Sequence, residues 1–252
     1  MNKTYPKLTL VVCLTLVAFI AIACSATDTT SVDKVSPSQT PTASNTATAS
    51  AASGKDIAGD YTITGTNEGG GGQYGGQLKV TKRDEVYQFS WASGAKTYDG
   101  VGVRTDKNVA VAFTEGSDGK GCGVVLYSIA GDGSLEGKVG YWGVNDSATE
   151  SAKRTSGSDL DGTYDVTGSN PDGTSYDGKL AVKKAGLGYT FAWDAGSTST
   201  GFGIRNGNSV AVGIGGKQCG FVSYEIKSDG TLDGRWGGQG STSVGTEIAK
   251  KK

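Results

Sequence analysis

The sequence contains no histidine, and it has only one methionine, four prolines and four cysteines. Without histidine the chain cannot build a Ser-His-Asp or Cys-His catalytic set, and it lacks a frequent ligand of zinc and haem. Four cysteines spread along the chain do not form the clustered spacing of a cysteine-rich metal site. We therefore expect no catalytic residue, no enzymatic activity, no metal site and no cofactor.

The sequence also has no excess of one charge sign. The chain has 24 Lys and Arg against 25 Asp and Glu, for a formal net charge of −1, and the two signs are interspersed. Proteins that follow a phosphate backbone carry a basic stripe or patch, and the sequence has none beyond its three terminal lysines. We read those lysines as a solvated terminus and expect no nucleic-acid partner.

The N-terminal residues 1–23 have the pattern of an export signal. Lys3 and Lys7 precede a long apolar run, which is short for a spanning helix with a stop-transfer flank. The run ends in Ala21-Ile22-Ala23-Cys24-Ser25, which resembles a bacterial lipobox. The resemblance implies cleavage before Cys24 and a lipid on its sulfur, which would anchor the protein to a membrane of the cell envelope. Ser25 is compatible with sorting to an outer membrane.

Residues 24–55 are dominated by Ser, Thr and Ala and contain no aromatic residue. Such a composition buries too little apolar surface to offset the entropy of ordering, so it predicts a disordered tether. We expect the tether to hold the folded part of the protein away from the membrane.

The rest of the chain contains the same pattern twice, which defines two copies of one unit. We assign the copies to residues 56–155 and 156–252. The clearest matches pair Gly59-x-Tyr61-x-Ile63-Thr64-Gly65 with Gly162-x-Tyr164-x-Val166-Thr167-Gly168, Tyr74-x-Gly76-x-Leu78 with Tyr176-x-Gly178-x-Leu180, Tyr87-x-Phe89-x-Trp91 with Tyr189-x-Phe191-x-Trp193, and Cys122-Gly123 with Cys219-Gly220.

Within each copy, apolar residues alternate with polar ones, and short Asn-Gly or Asp-Gly turns separate the alternating runs. This pattern is typical of strands buried on one face and joined as hairpins. About eight such runs per copy predict an all-β protein of two tandem eight-stranded antiparallel up-and-down barrels, one per copy, because closure removes the exposed sheet edges. Two β-sandwiches remain the alternative, since alternation does not distinguish closure from stacking.

The repeated motifs resemble modules of small exported bacterial proteins, and the general plan is similar to avidin-like and lipocalin-like barrels. Some sequences of this type carry a fibronectin-binding label, which implies an extracellular-matrix partner. The polar ligand-binding constellation of true avidins is not recognisable, and the first copy has Val139 where the second has Trp236. The resemblance therefore concerns the fold more than an activity.

The aromatic strand of each copy supplies the candidate ligand-lining residues, which are Tyr87, Trp91, Tyr189 and Trp193. Small eight-stranded barrels either hold one small ligand or are filled by their own side chains. Filling by the aromatic residues is favoured for copies of this length, and a ligand-lining role is the alternative.

Cys122 and Cys219 occupy matching positions at the start of a strand. The alternation after each cysteine directs its side chain, and those of Val124 and Phe221, to the outside of a barrel, where apolar residues need a partner. We hypothesise that the two barrels pack through these strands about a pseudo-twofold axis. A Cys122–Cys219 disulfide across that axis and two unpaired thiols remain equally open, and an exported protein is in a compartment that permits the disulfide.

Arg104 and Arg205 also match between the copies, as do Glu150 and Glu247. A carboxylate in each closing strand is expected to pair with an arginine or to cap the end of a barrel, which is a structural role. Taken together, the sequence predicts a lipid-anchored envelope protein that binds a protein or matrix partner through its outer strands and loops. A small-ligand binder using the barrel lumen is the alternative, and a carboxylate-dependent envelope enzyme is the weakest one.

Overall fold

The computed structural model of the chain describes residues 56–116 and 118–252. The predicted signal at 1–23, the lipidation site Cys24 and the predicted tether at 24–55 lie outside these residues, so they stay predictions. No helix within the described ranges has the length and apolar character needed to cross a membrane.

The described residues form sixteen strands joined by short turns. Two single 3-10 turns occur at Glu68–Gly70 and Gly216–Gln218. The strands are β1 (Gly59–Thr66), β2 (Gln73–Arg83), β3 (Val86–Ser93), β4 (Lys96–Arg104), β5 (Asn108–Glu115), β6 (Gly123–Ile129), β7 (Leu135–Tyr141), β8 (Ala148–Ser158), β9 (Asp161–Ser169), β10 (Ser175–Ala185), β11 (Gly188–Asp194), β12 (Thr198–Asn206), β13 (Ser209–Ile214), β14 (Gly220–Ile226), β15 (Leu232–Gly237) and β16 (Gly245–Lys251).

The strands close into two antiparallel barrels of eight strands each. Barrel A runs in the order β1, β2, β3, β4, β5, β14, β15, β16 and closes between β16 and β1. Barrel B runs from β6 to β13 in chain order and closes between β13 and β6. The predicted fold class, two eight-stranded antiparallel barrels, is therefore confirmed.

The barrels do not coincide with the sequence copies, and the prediction of one barrel per copy is wrong. Barrel B is the continuous segment from β6 to β13, inserted between β5 and β14 of barrel A. The expected boundary between residues 155 and 156 falls inside β8. The difference arises from which strands pair with β5 and with β13. Strand β5 pairs with β14, so that Val111 faces Val222, while the equivalent β13 pairs with β6, so that Val212 faces Val125.

Inward-facing side chains fill most of each lumen, because alternate residues of every strand point to the barrel axis. In barrel A the buried cluster includes Tyr61, Phe89 and Tyr224, and barrel B has Tyr164, Phe191 and Tyr127 at the equivalent places. Burying a side chain of this size contributes roughly 1.5–3 kcal/mol to folding. One end of barrel A is covered by the buried Ile57, whose carbonyl accepts a 2.6 Å hydrogen bond from the Tyr61 hydroxyl.

The outward faces of the central strands pack the two barrels together. Their apolar side chains form a buried cluster that contains Val103 of β4, Ala112 of β5, Leu126 of β6 and Ala211 of β13. Strand β4 contacts β6, and the equivalent strands of the second copy, β12 and β14, also contact each other. Strand β5 contacts its own equivalent, β13. The contacts are therefore unchanged when the two copies are exchanged. This packing agrees with the predicted pseudo-twofold arrangement.

Cys122 and Cys219 form a disulfide whose Cα atoms lie 5.9 Å apart. Of the two alternatives for these cysteines, the structure therefore shows the bridged one. Cys122 immediately precedes β6 and Cys219 immediately precedes β14, so the bond joins the two segments in which the chain passes between barrels. A buried environment surrounds both residues, which are 3 and 4 % exposed.

Candidate functional site

A cavity of about 410 Å³ opens at one end of the barrel A lumen, and we call it cavity A. Its walls come from all eight strands of barrel A and from the turn after β1. Apolar and aromatic side chains make up most of the wall, while a single carboxylate lies on it. The lining residues are Ile63, Asn67, Tyr74, Trp91, Ser93, Lys96, Tyr98, Phe113, Val222, Trp236 and Glu247.

Glu247 provides the buried charge of cavity A. It lies on β16 between the inward positions of Gly245 and Ala249, and it is 5 % exposed. Its Oε1 atom accepts a 3.0 Å hydrogen bond from Trp91 Nε1 and a second one from the Tyr224 hydroxyl. Its Oε2 atom accepts a 3.0 Å hydrogen bond from the Tyr74 hydroxyl. A carboxylate has about four acceptor positions, so one remains on Oε2 for a further donor.

Burial dominates the protonation of this group. It raises the pKa of Glu247 above the usual value, and the hydrogen bonds from Tyr224, Trp91 and Tyr74 act in the opposite direction. Burial also raises the pKa of the Tyr224 and Tyr74 hydroxyls, and the nearby Glu247 charge adds to the effect. Both tyrosines are therefore held as neutral hydrogen-bond donors.

Barrel B repeats the arrangement around Glu150. The Oε1 atom of Glu150 accepts a 3.0 Å hydrogen bond from Trp193 Nε1 and another from the Tyr127 hydroxyl, and Oε2 accepts a 2.9 Å bond from Tyr176. The network faces a cavity of about 290 Å³, which we call cavity B. Its lining residues are Val125, Tyr127, Val139, Tyr141, Glu150, Asn170, Tyr176, Trp193, Ala195, Ser197, Ser199 and Ile214.

A glycine seats the outer tyrosine of each network. A Cβ atom on Gly65 would lie 2.5 Å from the Tyr74 hydroxyl and 2.2 Å from the Thr246 carbonyl oxygen. A Cβ atom on Gly168 would lie 2.2 Å from Cζ of Tyr176. Only glycine permits these close approaches, and this explains the Thr-Gly step that recurs in both copies.

The predicted ligand-lining residues divide into two groups. Trp91 and Trp193 line their cavities and bind the buried carboxylates. Tyr87 lies four residues before Trp91 on β3, about 13 Å along the strand, and its hydroxyl donates a 3.1 Å hydrogen bond to Asp56 at the covered end. Tyr189 lies under the Lys184 ammonium, which is 4.3 Å from its ring centroid. Neither tyrosine lines cavity A or cavity B, and Tyr87 instead lies on a groove of about 250 Å³ between the barrels, so a ligand-lining role for the two tyrosines stays a prediction.

The sequence also pointed to Glu150 and Glu247, but with different partners. Neither carboxylate forms a salt bridge with an arginine, and Arg205 instead pairs with Asp159. Sequence reasoning missed the tyrosines that complete each network, which are Tyr74, Tyr224, Tyr127 and Tyr176. Their signal was present, because all four are identical between the copies and lie at inward positions of alternating strands.

Within residues 56–116 and 118–252, no group of three or more acidic, cysteine or histidine side chains is placed to hold a metal ion. No protein-family model, curated protein sequence or solved structure matches the chain.

Proposed function

We propose that the protein binds small organic molecules, with one site in the lumen of each barrel. The observation that carries this proposal is the pairing of an open cavity of several hundred cubic ångströms with a buried, hydrogen-bonded carboxylate in both barrels. Sites for small molecules are typically concave, mainly apolar, and equipped with a few fixed polar groups that set orientation. This assigns the cavities to the alternative that the sequence left open, in which the aromatic residues line a ligand site.

The rigidity of the network supports a binding role. Trp91 and Tyr74 project from neighbouring strands, and Glu247 holds both through hydrogen bonds. A wall fixed in this way loses little conformational freedom when a ligand enters, and low ordering cost favours affinity. The proposal places the protein on the outside of a membrane, with Cys24 as its lipid anchor.

Filling each cavity separately tests the proposal. Val222 and Val125 occupy equivalent wall positions in cavities A and B, so Val222→Phe and Val125→Phe each fill one lumen and serve as controls for each other. We expect fragments detected by ligand-observed NMR to lose binding to one cavity in each variant. If both variants bind every fragment as the unmodified protein does, the lumens are not the sites.

A protein or matrix partner stays a second candidate, and one surface favours it. Tyr141 and Val144 are each 37 % exposed and lie beside Trp142, at a groove of about 250 Å³ between the barrels. Exposed apolar side chains that lie together commonly mark contact surfaces. Replacement of Tyr141 and Val144 by serine is expected to abolish binding to immobilised fibronectin, if that partner uses this groove, and to leave fragment binding in cavity A unchanged.

A further inference from the structure

Cavity A differs from cavity B in the number of aromatic rings that surround its carboxylate. Five aromatic side chains line it, and they come from five different strands. We call them the cage, and they are Tyr74, Trp91, Tyr98, Phe113 and Trp236.

Neighbouring rings of the cage pack against one another at steep angles. The Trp91 and Phe113 centroids are 5.7 Å apart with the planes tilted by 55°, and Phe113 meets Tyr98 edge to face at 5.9 Å. On the other side, Tyr74 and Trp236 are 6.3 Å apart and also edge to face. All five rings line the cavity, so a ligand inside it would contact them, and an aromatic face presents negative charge density.

The equivalent positions in barrel B lack three of these rings. In barrel A, Tyr98 lies opposite Trp91 on the neighbouring strand, and in barrel B the residue opposite Trp193 is Ser199. Ser199 therefore takes the position of Tyr98. In the same way, Ile214 takes the position of Phe113 and Val139 that of Trp236. Cavity B is lined by four aromatic side chains, Tyr127, Tyr141, Tyr176 and Trp193, but none of them stands at these three wall positions. The two copies therefore share the carboxylate and differ in the cage.

The charges around cavity A favour a cation. Glu247 is the only acidic side chain of its wall, and its Oε2 atom retains one acceptor position. Lys96 at the mouth is exposed and paired with Glu115 at 2.9 Å, so its positive charge is offset outside the cavity. In the part of the chain that the structure describes, the buried Trp236 Nε1 atom is left without a hydrogen-bond partner. A ligand acceptor near Trp236 would satisfy it.

We propose that cavity A binds an organic ammonium cation, whose methylated head is enclosed by the cage and whose charge is opposed by Glu247. This inference rests on the proposed function and names the ligand class for one of its two sites. Aromatic faces attract quaternary ammonium groups, and the attraction strengthens as the contact is desolvated. A hydroxyl or carbonyl on the same ligand accepts the hydrogen bond that Trp236 offers.

Calorimetric titration of the intact protein with choline chloride and with dimethylbutanol tests the inference. The isomer used is 3,3-dimethylbutan-1-ol, in which a carbon atom replaces the nitrogen of choline. It has the same shape and the same hydroxyl as choline but no charge. We expect choline to bind at least about tenfold more tightly than the isostere, with one site per chain. Quenching of tryptophan fluorescence gives an independent readout, because Trp91 and Trp236 line the cavity.

Three variants locate the site. Glu247→Gln keeps the shape and the acceptor for Trp91 but removes the charge, and we expect it to weaken choline binding at least about tenfold, or about 1.4 kcal/mol. Trp236→Val installs the residue of barrel B and is expected to weaken choline binding in the same direction. Glu150→Gln is the matched control in barrel B, and we expect choline binding to be unchanged. Thermal unfolding of each variant verifies that it is folded.

The outcomes separate this inference from the proposed function. If dimethylbutanol binds as tightly as choline, or if Glu150→Gln abolishes choline binding while Glu247→Gln does not, the cation inference is wrong and lumen binding stands. If choline does not bind but other fragments enter the cavities, the inference is equally overturned. If no fragment enters either cavity, both proposals fail.

Discussion

At the scale of single residues, the buried glutamates decide the chemistry of both lumens. Glu150 and Glu247 each replace an apolar residue at an inward strand position and organise one tryptophan and two tyrosines. A buried carboxylate is tolerated only when both of its oxygens accept hydrogen bonds, and three donors from the surrounding wall provide them. The rest of the wall then needs no further polar group.

Removal of the Glu247 carboxylate should destabilise the protein through its orphaned donors. In Glu247→Ala, the hydroxyls of Tyr74 and Tyr224 and the Trp91 indole lose their acceptor. Each buried donor left unsatisfied costs about 1–3 kcal/mol, so we expect a loss of roughly 3 kcal/mol or more in the free energy of unfolding. Glu247→Gln retains one acceptor oxygen and should lose about 1 kcal/mol. Denaturant unfolding of both variants measures the difference, and equal losses would contradict the role of the network.

The titration of Glu247 gives a pH dependence of known sign. Its pKa is higher in the folded protein than the usual 4.5, so the folded state holds the proton more tightly. The resulting stabilisation is complete below the unfolded pKa and is lost as pH rises through the folded pKa. As pH rises through that interval, we expect the unmodified protein to lose stability relative to Glu247→Gln, which has no carboxyl to ionise at this position. Urea unfolding at a series of pH values measures it.

The same interval should affect ligand binding in the opposite direction. The ionised form of Glu247 is the one that opposes a cation, so choline affinity is expected to rise with pH as the carboxyl loses its proton. The groups that face this carboxyl are Tyr74 on β2, Trp91 on β3 and Tyr224 on β14. Neither tyrosine titrates in this range, because burial raises the pKa of both further above 10.0.

At the scale of the strands, the alternation of the sequence predicts the elements but not all of their neighbours. Strands β6 and β14 are equivalent in the two copies, and each offers the same inward pattern to a partner. Local pattern cannot decide whether β5 pairs with β6 or with β14. The decision depends on how the outward apolar faces pack between the barrels, which is a long-range property of the assembled chain.

The candidate site shows the same division. Alternation places Trp91 and Trp193 inward, and they do line the cavities. It places Tyr87 and Tyr189 on the same face, but they are too far along the strand to reach the open end. Position along the barrel axis depends on shear and strand stagger, which no single run of residues encodes.

A barrel A without barrel B should fold, because the register brings the ends of β5 and β14 together. Gly220 lies opposite Phe113, so a two-residue Asn-Gly turn can replace residues 114–219 and form a hairpin. We expect a monomeric eight-stranded protein that retains cavity A. The NMR amide signals of β2, β3 and β16 provide the measurement.

The shortened protein exposes the outward face of β4 and β5, so Val101, Val103, Ala110 and Ala112 need polar replacements for solubility. An unfolded chain after these replacements would indicate that barrel A depends on its neighbour. An equivalent construction of barrel B needs no new turn, because its strands are consecutive.

At the scale of the whole molecule, the disulfide fixes how the two barrels are connected. It joins residues that are 97 positions apart, and those positions enclose all of barrel B. Cross-linking a loop of this length restricts the unfolded chain strongly, by about 4–5 kcal/mol in the chain-entropy treatment. We expect Cys122→Ser with Cys219→Ser to lose roughly 2–5 kcal/mol in stability.

Thermal unfolding with and without reductant checks this expectation. Reduced unmodified protein should match the double variant, and reductant should leave the double variant unchanged. Cavity A should still bind its ligand in the variant, since neither cysteine lines it. A double variant as stable as the oxidised protein would show that packing between the barrels alone connects them.

The two ends of barrel A differ from each other. The described chain enters at Asp56 beside the covered end, where Tyr87 and Lys251 contact this residue. Cavity A lies at the other end of the lumen, near Ser93 and Lys96 in the turn between β3 and β4. The first described residue and the mouth of cavity A therefore lie at opposite ends of barrel A.

The bridge between Cys122 and Cys219 has a further consequence for the architecture. Barrel B, from β6 to β13, is an insertion in barrel A. The residues that flank the insertion, Cys122 and Cys219, have Cα atoms only 5.9 Å apart. Barrel A can therefore accept another domain whose own ends lie side by side, provided that the outward face of β4 and β5 is covered or made polar. A foreign domain grafted in place of barrel B would then be displayed by barrel A.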